Sequence, residues 1–321
     1  MDLIYTNANR VDLGVLTAYA FDLSFGAEEN DFEMTLGANE PRLEFGAYAY
    51  IEGTEYGGIV DAVKVSTNGE SVTYMGRTWH GMLNSKVIQP DAGADYLTVS
   101  GDANTILSML IERLGLSGLF YASAEASEIT VKKYKFNRYC KGYEGICAML
   151  AKNGAKLKIA WEGRAVHLWA EPIQDHTEAP VDGDVATLTV EQHGKKINHL
   201  ICLGRGNLAQ REVIHLYINQ FGNVADAPYY TGTDEICDTY ENSNAASTEE
   251  LREEGIEQLE ELRDIDTAEI SLPEDSAFVY DIGDIVGATE IQTQISVAAA
   301  VTQKIVKIDN GAVSIDYKTG S

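Results

Sequence analysis

Six histidines, four cysteines and fifty carboxylates are what this chain has to do chemistry with. The histidines are His80, His167, His176, His193, His199 and His215. None shows the His-Glu-x-x-His spacing that sets two imidazoles and a carboxylate base on one helix face around zinc. His193 and His199 stand six apart, and the intervening Gly194-Lys195-Lys196 suits a turn better than a metal site. Cys140 and Cys147 enclose six residues, which is not a usual zinc-ligand spacing. Either could be drawn with His167 as a thiolate–imidazole pair for peptide hydrolysis. No local motif supports that pair, and Cys147 falls among apolar neighbours in a helical pattern. There is no Gly-x-Ser-x-Gly elbow and no phosphate-cradling loop, and Gly204-Arg205-Gly206 lacks the rest of a dinucleotide fingerprint. Paired acids for glycoside hydrolysis can be chosen in so many ways that the pattern selects none. Trp161 and Trp169 lie on neighbouring strand-like runs, and read either as apolar packing or as a sugar platform. The sequence therefore assigns no catalytic, cofactor-binding or metal-ligating residue.

The elements that position these side chains are organised around one stretch, Tyr56 to Leu83. Gly58 to Ser66 is strand-like, with Ile59, Val63 and Val65 alternating, though Asp61 shares their parity. Asn68-Gly69 follows, the dipeptide that most readily takes positive φ at both central turn positions. Glu70 to Met75 forms the return strand and leads into Gly76-Arg77-Thr78-Trp79. The other end of the chain echoes this hairpin. Lys304 to Asp309, Asn310-Gly311 and Ala312 to Tyr317 are again strand, turn and strand. Each copy has Lys and a β-branched residue before the turn, then Val (Val72, Val313) and Tyr (Tyr74, Tyr317) after it. Glycine-containing strands precede both: Phe45 to Gly53, and Tyr280 to Gly287. The repetition predicts two related β-domains with other material inserted between them.

In chain order, residues 3 to 36 read as short strands. Leu13 to Ala20 is one, and Asp31 to Leu36 alternates with Phe32, Met34 and Leu36 inward. After Pro90 the pattern changes. Ala103 to Leu114 reads as a helix with Ile106, Leu107, Leu110, Ile111 and Leu114 in one stripe, capped by Asp102 and closed by Gly115. Glu128 to Lys133 is strand-like, and Tyr143 to Lys152 is a second helix stopped by Asn153-Gly154. Leu157 to Trp161 and Ala165 to Ala170 pair as a hairpin. After Pro180 the chain returns to strands at 187–190, 198–203 and 212–219. Ser247 to Asp264 is a long helix with a capping box at Ser247-Thr248-Glu249-Glu250 and a narrow seam of Leu251, Leu259 and Leu262. That helix either lies solvated on a sheet or faces a partner. The expected class is mixed and mainly β. Its parts are a β-barrel over 1–95, an α+β module over 96–180, a second barrel from 181–235 with 270–321, and a helical insertion over 236–269.

At 321 residues, 45% of them hydrophobic, the chain is long enough for about two to three domains with real cores. Its net charge of −26 excludes a general nucleic-acid binder, whose affinity comes from Lys and Arg on phosphates. An acidic balance fits either a solvated surface or the lining of a channel that DNA traverses without sticking. The scattered cysteines read as reduced thiols of a protein made inside a cell. No basic segment with an apolar run follows Met1, so no signal peptide is expected, and no apolar stretch is long enough to span a membrane.

The order of these parts resembles the tail hub, or baseplate hub, proteins of tailed bacteriophages and prophages, and among them the tail-tip hubs of siphophages. Three segments carry the resemblance: Tyr56-Gly57-Gly58-Ile59-Val60 through the hairpin to Met82-Leu83, the helix Asn104 to Leu114, and Asp281-Ile282-Gly283-Asp284-Ile285-Val286. The resemblance implies a non-enzymatic homotrimer. Two like barrels per chain would form a pseudo-sixfold ring that joins a sixfold tail tube to a threefold tip, with an electronegative lumen for DNA. It implies neighbouring tail proteins as partners (the distal tail or tube protein, the tape measure, tip or spike proteins) and a place at the virion tail tip after synthesis in the host cytoplasm. No cofactor, stable nucleic-acid complex or membrane span is expected. The other readings kept open are a cell-wall glycan-acting enzyme and a carbohydrate-binding module using Trp161 and Trp169.

Overall fold

The computed structural model describes residues 1–65, 71–178, 181–182, 187–263, 266–272, 279–290 and 295–320. It opens with seven strands: β1 (Leu3–Thr6), β2 (Asp12–Leu16), β3 (Tyr19–Gly26), β4 (Asp31–Gly37), β5 (Tyr48–Tyr50), β6 (Gly57–Val65) and β7 (Ser71–Thr78). The alternation in β3 and β4 places Phe21, Leu23, Phe25, Phe32, Met34 and Leu36 in one core, as their period of two requires. The strand expected over Leu13 to Ala20 is two strands, β2 and β3. Glu40 accepts from the backbone amides of Thr17 and Ala18 at the break, which takes those donors out of any ladder. The Asn68-Gly69 turn lies outside the described residues.

A short helix, α1 (Trp79–Asn84), ends this section. The Thr78 hydroxyl accepts from Gly81 N at its start. The α+β module follows: β8 (Thr98–Asp102), α2 (Ala103–Arg113), β9 (Phe120–Ala122), β10 (Thr130–Lys135), α3 (Gly142–Ala151), β11 (Ala155–Glu162) and β12 (Ala165–Pro172). Asp102 caps α2 by accepting from Asn104 N and Thr105 N, as its position predicts. The module does not have a core of its own. Its apolar cluster runs from Ile106, Leu107 and Leu150 to Trp161 and on to Tyr50, Trp79 and Leu83 of the preceding section. A boundary at 95 therefore passes through a single core.

The remaining elements are β13 (Val181–Asp182), β14 (Thr187–Glu191), β15 (His199–Leu203), β16 (Val213–Ile218), β17 (Val224–Ala225), β18 (Cys237–Glu241), α4 (Thr248–Glu261), β19 (Thr267–Leu272), β20 (Ile285–Glu290), β21 (Ile295–Asp309) and β22 (Ala312–Thr319). Of the span 181–235 that was expected to group with 270–321, β13 and β14 join that sheet through β20 and β19. Strands β15 and β16 pair with β17 and β18 in a separate four-stranded sheet, which crosses the boundary expected at 235. The reason is α4. Leu251 and Leu259 bury against Leu200, Cys202 and Leu216, so helix and small sheet share one closed core. At Gly255 the helix comes so near that a Cβ would stand 2.4 Å from Cys202 Sγ. The helix expected over Ser247 to Asp264, within the insertion 236–269, is thus the cover of an arm that carries β15 to β18, and Leu251 and Leu259 of its apolar seam are buried there.

Thirteen strands join in one sheet, along the path β14-β19-β22-β21-β3-β4-β7-β6-β5-β1-β2, with β20 on β21 and β13 on β20. The two domains expected from the hairpin echo are therefore continuous with each other through β21 and β3. Asn310 and Gly311 both take positive φ, as a two-residue turn between Asp309 and Ala312 demands.

Candidate assembly interface

The echo extends well beyond the hairpins. Five strands, β3, β4, β5, β6 and β7, are ordered β3-β4-β7-β6-β5. Five others, β14, β19, β20, β21 and β22, are ordered β14-β19-β22-β21-β20. Both sets run first, second, fifth, fourth, third, and every pairing is antiparallel. The module lies between the two units, and the arm lies between the first and second strands of the later one.

Individual hydrogen bonds repeat as well. Gly46 N donates to Val60 O and Val60 N to Ala47 O; Gly283 N donates to Val301 O and Val301 N to Asp284 O. The Tyr74 hydroxyl accepts from Leu43 N, and the Tyr317 hydroxyl accepts from Tyr280 N, each at 3.1 Å. Each fourth strand carries a register shift just after this point, between Val60 and Ala62 and between Val301 and Gln303. These matches make Val63 the counterpart of Lys304 and Val65 the counterpart of Val306.

The fourth strands differ in what lies beside them. From Gln303 to Asp309, β21 is paired on its second edge by β3 of the other unit. Lys304 and Val306 there are 2% and 0% exposed. On β6, Val63 and Val65 face the same way but are 41% and 56% exposed, and among the described residues the strand from Ala62 to Val65 pairs with β7 alone. Strand β14, which holds the position of β3, pairs with β19 and lies close beside β20 and β21 of the same unit.

The outward face of this sheet is acidic. Asp22, Asp31, Glu33, Glu191, Glu269, Asp309 and Asp316 stand on it, against Lys64, Arg77, Lys307 and Lys318. Asp22 is directly opposite Glu33 across β3 and β4, an arrangement that costs stability. Partial burial raises the Asp22 pKa above its ordinary value, against Lys307 and with the help of Glu33 and Asp309.

A buried ionic cluster fastens the module to the later unit. Lys156 Nζ lies 2.7 Å from Asp284 Oδ1 and 2.8 Å from Asp281 Oδ2, and Lys158 Nζ is 2.7 Å from the same Asp281 oxygen. Asp284 also accepts from Gln174 N and Asp281 N. Desolvation works to raise the Asp281 pKa, but its bonds to Lys156 and Lys158 prevail and hold it at about 2. The Asp-Ile-Gly-Asp motif is thus a fastening in which Gly283 supplies the tight turn.

The candidate chemical groups stay apart. Cys147 is half-buried beside Tyr143, and desolvation pushes its thiol up to about 12, far from a thiolate at neutral pH. His167 lies on the outer face of the β9-β12-β11 sheet, stacked between Tyr121 and Trp169, with Glu162 at 3.2 Å. His193 pairs with Glu191, whereas His199 bonds Glu235 and His215. Strand pairing brings His199 and His215 together, a neighbourhood that their separation in sequence does not announce. Gly204-Arg205-Gly206 forms the end of the β15–β16 hairpin, where Gly204 N donates to Glu212 O. Trp161 is fully buried, stacked on Tyr50 and Trp79, and this removes it from any sugar platform. Among the described residues no group of three His, Cys, Asp or Glu is placed to hold a metal, and no helix is long and apolar enough to cross a membrane.

No protein-family model matches the sequence, and no curated protein matches it. Solved structures do. The chain has the fold of phage and prophage tail proteins along its whole length. A tail protein from Neisseria meningitidis MC58 is 13% identical, with a TM-score of 0.58 and coverage of 100% of this chain and 96% of that one. The prophage tail protein gp18 from Listeria monocytogenes EGD-e is 14% identical, with a TM-score of 0.57 over 99% and 94% of the two chains. The 43 kDa tail protein of prophage MuSo2 from Shewanella oneidensis is 11% identical, with a TM-score of 0.60 over 99% and 98%.

Proposed function

We propose that this protein is a structural, non-enzymatic component of a phage or prophage tail, working as a hub ring of three copies at the tail tip. The observation that carries this reading is the duplicated five-strand unit, whose halves already join edge to edge within one chain. Three such chains supply six like units, which match a sixfold tube on one side and leave threefold features on the other. The ring domains comprise 1–95 and those parts of 181–235 and 270–321 that join the large sheet. The module at 96–180 and the arm occur once per chain, so they face the threefold side and its neighbouring tail proteins. The acidic outward face of the sheet supports a lumen that repels DNA phosphates and lets the molecule slide through.

Native mass spectrometry and electron microscopy of the purified protein, alone and with the adjoining tube protein, test this. The expected particle contains three chains and projects as a six-lobed ring. A protein that stays monomeric in both settings refutes the reading.

A further inference from the structure

We propose that the lysine-bearing wall of the module, formed by Lys132, Lys133, Lys135 and Lys152, is a docking surface for an acidic helix of a partner protein, and that α4 covers it in the unassembled chain. The surface is defined within one chain and does not depend on how many copies assemble.

In a chain of net charge −26, residues 132 to 158 hold eight of the 24 Lys and Arg residues and a single acid, Glu144. Two of the eight, Lys156 and Lys158, are held by Asp281 and Asp284. The backbone of β10 displays two more. Lys132 and Lys133 together stand opposite Ser100 of β8, a bulge between Val131 and Tyr134. Strict alternation would turn one of the two lysines inward. The bulge leaves both exposed. Lys133 has φ 46°, a left-handed conformation uncommon for a residue with a Cβ, and its amide donates to the Ser100 hydroxyl at 3.0 Å.

Helix α4 shows what such a wall accepts. Glu250, Glu254 and Glu257 recur at helical spacing on one face. Glu250 and Glu254 reach Lys135 at 2.9 and 3.9 Å, and Glu257 reaches Lys152. The fit is incomplete. A cleft of about 830 Å³ stays open between the two walls, and Lys132 and Lys133 line it without a carboxylate partner among the described residues. The contact is also built to part. Lys152 and Glu257 are each 58% exposed, so water competes for both. Glu250 accepts from Ala246 N as well, and Glu254 from the Tyr240 hydroxyl and Asn242 Nδ2, bonds that stay with the arm when it moves. Among the described residues the cores of module and arm have no member in common. The arm leaves the large sheet after β14 and returns before β19, two crossings about which it can turn as a unit. A partner helix whose acids meet all four lysines displaces one that meets two.

The experiment uses the full chain and, as the acidic-helix probe, a fluorescein-labelled peptide with the sequence of Ser247 to Leu262. Glu250→Gln with Glu254→Gln and Glu257→Gln keeps the acceptor oxygens inside the arm and removes its charge toward the module. We expect the peptide to bind this variant at least roughly tenfold more tightly than the wild type at low salt, because a tethered competitor acts at a high effective concentration. Adding Lys132→Ala and Lys133→Ala should return binding to the wild-type level or below. The wild-type chain supplies a second readout that needs no variant. Carbodiimide joins touching amines and carboxylates, so mass spectrometry should find Lys152 linked to Glu257. Excess isotopically heavy peptide should replace that link with links from the peptide to Lys132 and Lys133. Equal affinity for wild type and variant, or an internal link that excess peptide leaves undiminished, would overturn the proposal. Duplex DNA binding the variant as tightly as the peptide would make the wall a general polyanion patch and overturn the assignment of an acidic helix.

Discussion

The fastening of module to sheet by Lys156 lends itself to a quantitative test. Its ammonium and the Asp284 carboxylate are both almost wholly buried, 2.7 Å apart. At an effective dielectric near 20, two charges at that distance attract by about 6 kcal/mol. Desolvation of both groups offsets most of this, so the pair as a whole adds little. Removing one member is different. Lys156→Met leaves a buried carboxylate without its cation, and such losses run to about 3–5 kcal/mol. Asp284 keeps the amides of Gln174 and Asp281, and Asp281 keeps Lys158, so the lower end of about 3 kcal/mol is expected. Lys156→Met with Asp284→Leu removes both charges and should cost less than Lys156→Met alone. The assay is urea unfolding at neutral pH followed by tryptophan fluorescence, since Trp79, Trp161 and Trp169 all lie in or against the module. A single-variant cost under about 1 kcal/mol, or additivity in the double variant, refutes the reasoning. The pH dependence has a definite sign. The Asp281 pKa is about 2 when folded, below the unfolded carboxylate value near 3.9. Its contribution, about 2–3 kcal/mol, is complete above about pH 4 and is lost as pH falls toward 2.

Other outcomes follow from single sites. Burial lowers the His80 pKa to about 4 despite Glu55 nearby, so stability should decline by about 3 kcal/mol as pH falls from about 6.5 to 4. His80→Phe should flatten that slope in an acid titration of unfolding. Gly255→Ala should destabilise the arm by about 1–3 kcal/mol in spite of better helix propensity, because the new methyl meets Cys202 Sγ; hydrogen exchange in β15 and β16 reports it. The arm meets the module through Lys135 with Glu250 and Glu254, and Lys152 with Glu257, pairs that are largely solvated. Lys135→Glu should therefore cost under about 1 kcal/mol yet widen the separation of spin labels on Arg138 and Glu260, as should high salt. An unchanged distance in both cases would show that packing, not charge, sets the arm.

The duplication was legible because it is written in turn chemistry. Asn-Gly at each hairpin, a glycine before each third strand and a tyrosine on each fifth are residues whose backbone or hydroxyl the fold requires. The first and second strands of each unit carry no such residue. Phe21 and Leu188 share only a register position, so nothing in the sequence marked β3 and β14 as equivalents. Alternation showed that 212–219 is a strand but could not say which sheet it joins; the closed core under α4 decides that. The caps at Asp102 and Ser247 were readable, since a side-chain oxygen beside free amides is a local matter. Helix α1 was not, being six residues on the end of a hairpin. The expectation of no catalysis came from missing motifs alone, and the pairing of His199 with His215 was not legible because strand register, not spacing, creates it.

The seam between β21 and β3 has a mechanical side. It is backed by covalent chain, since both strands belong to one polypeptide that runs through module and arm between them. A seam formed with another copy has no such tether. In the proposed ring of three copies the two kinds would alternate, and outward load would bear on all six while only three are reinforced. Under pressure from a passing cargo such a hoop would part at alternate joints, opening into three rigid segments instead of stretching evenly.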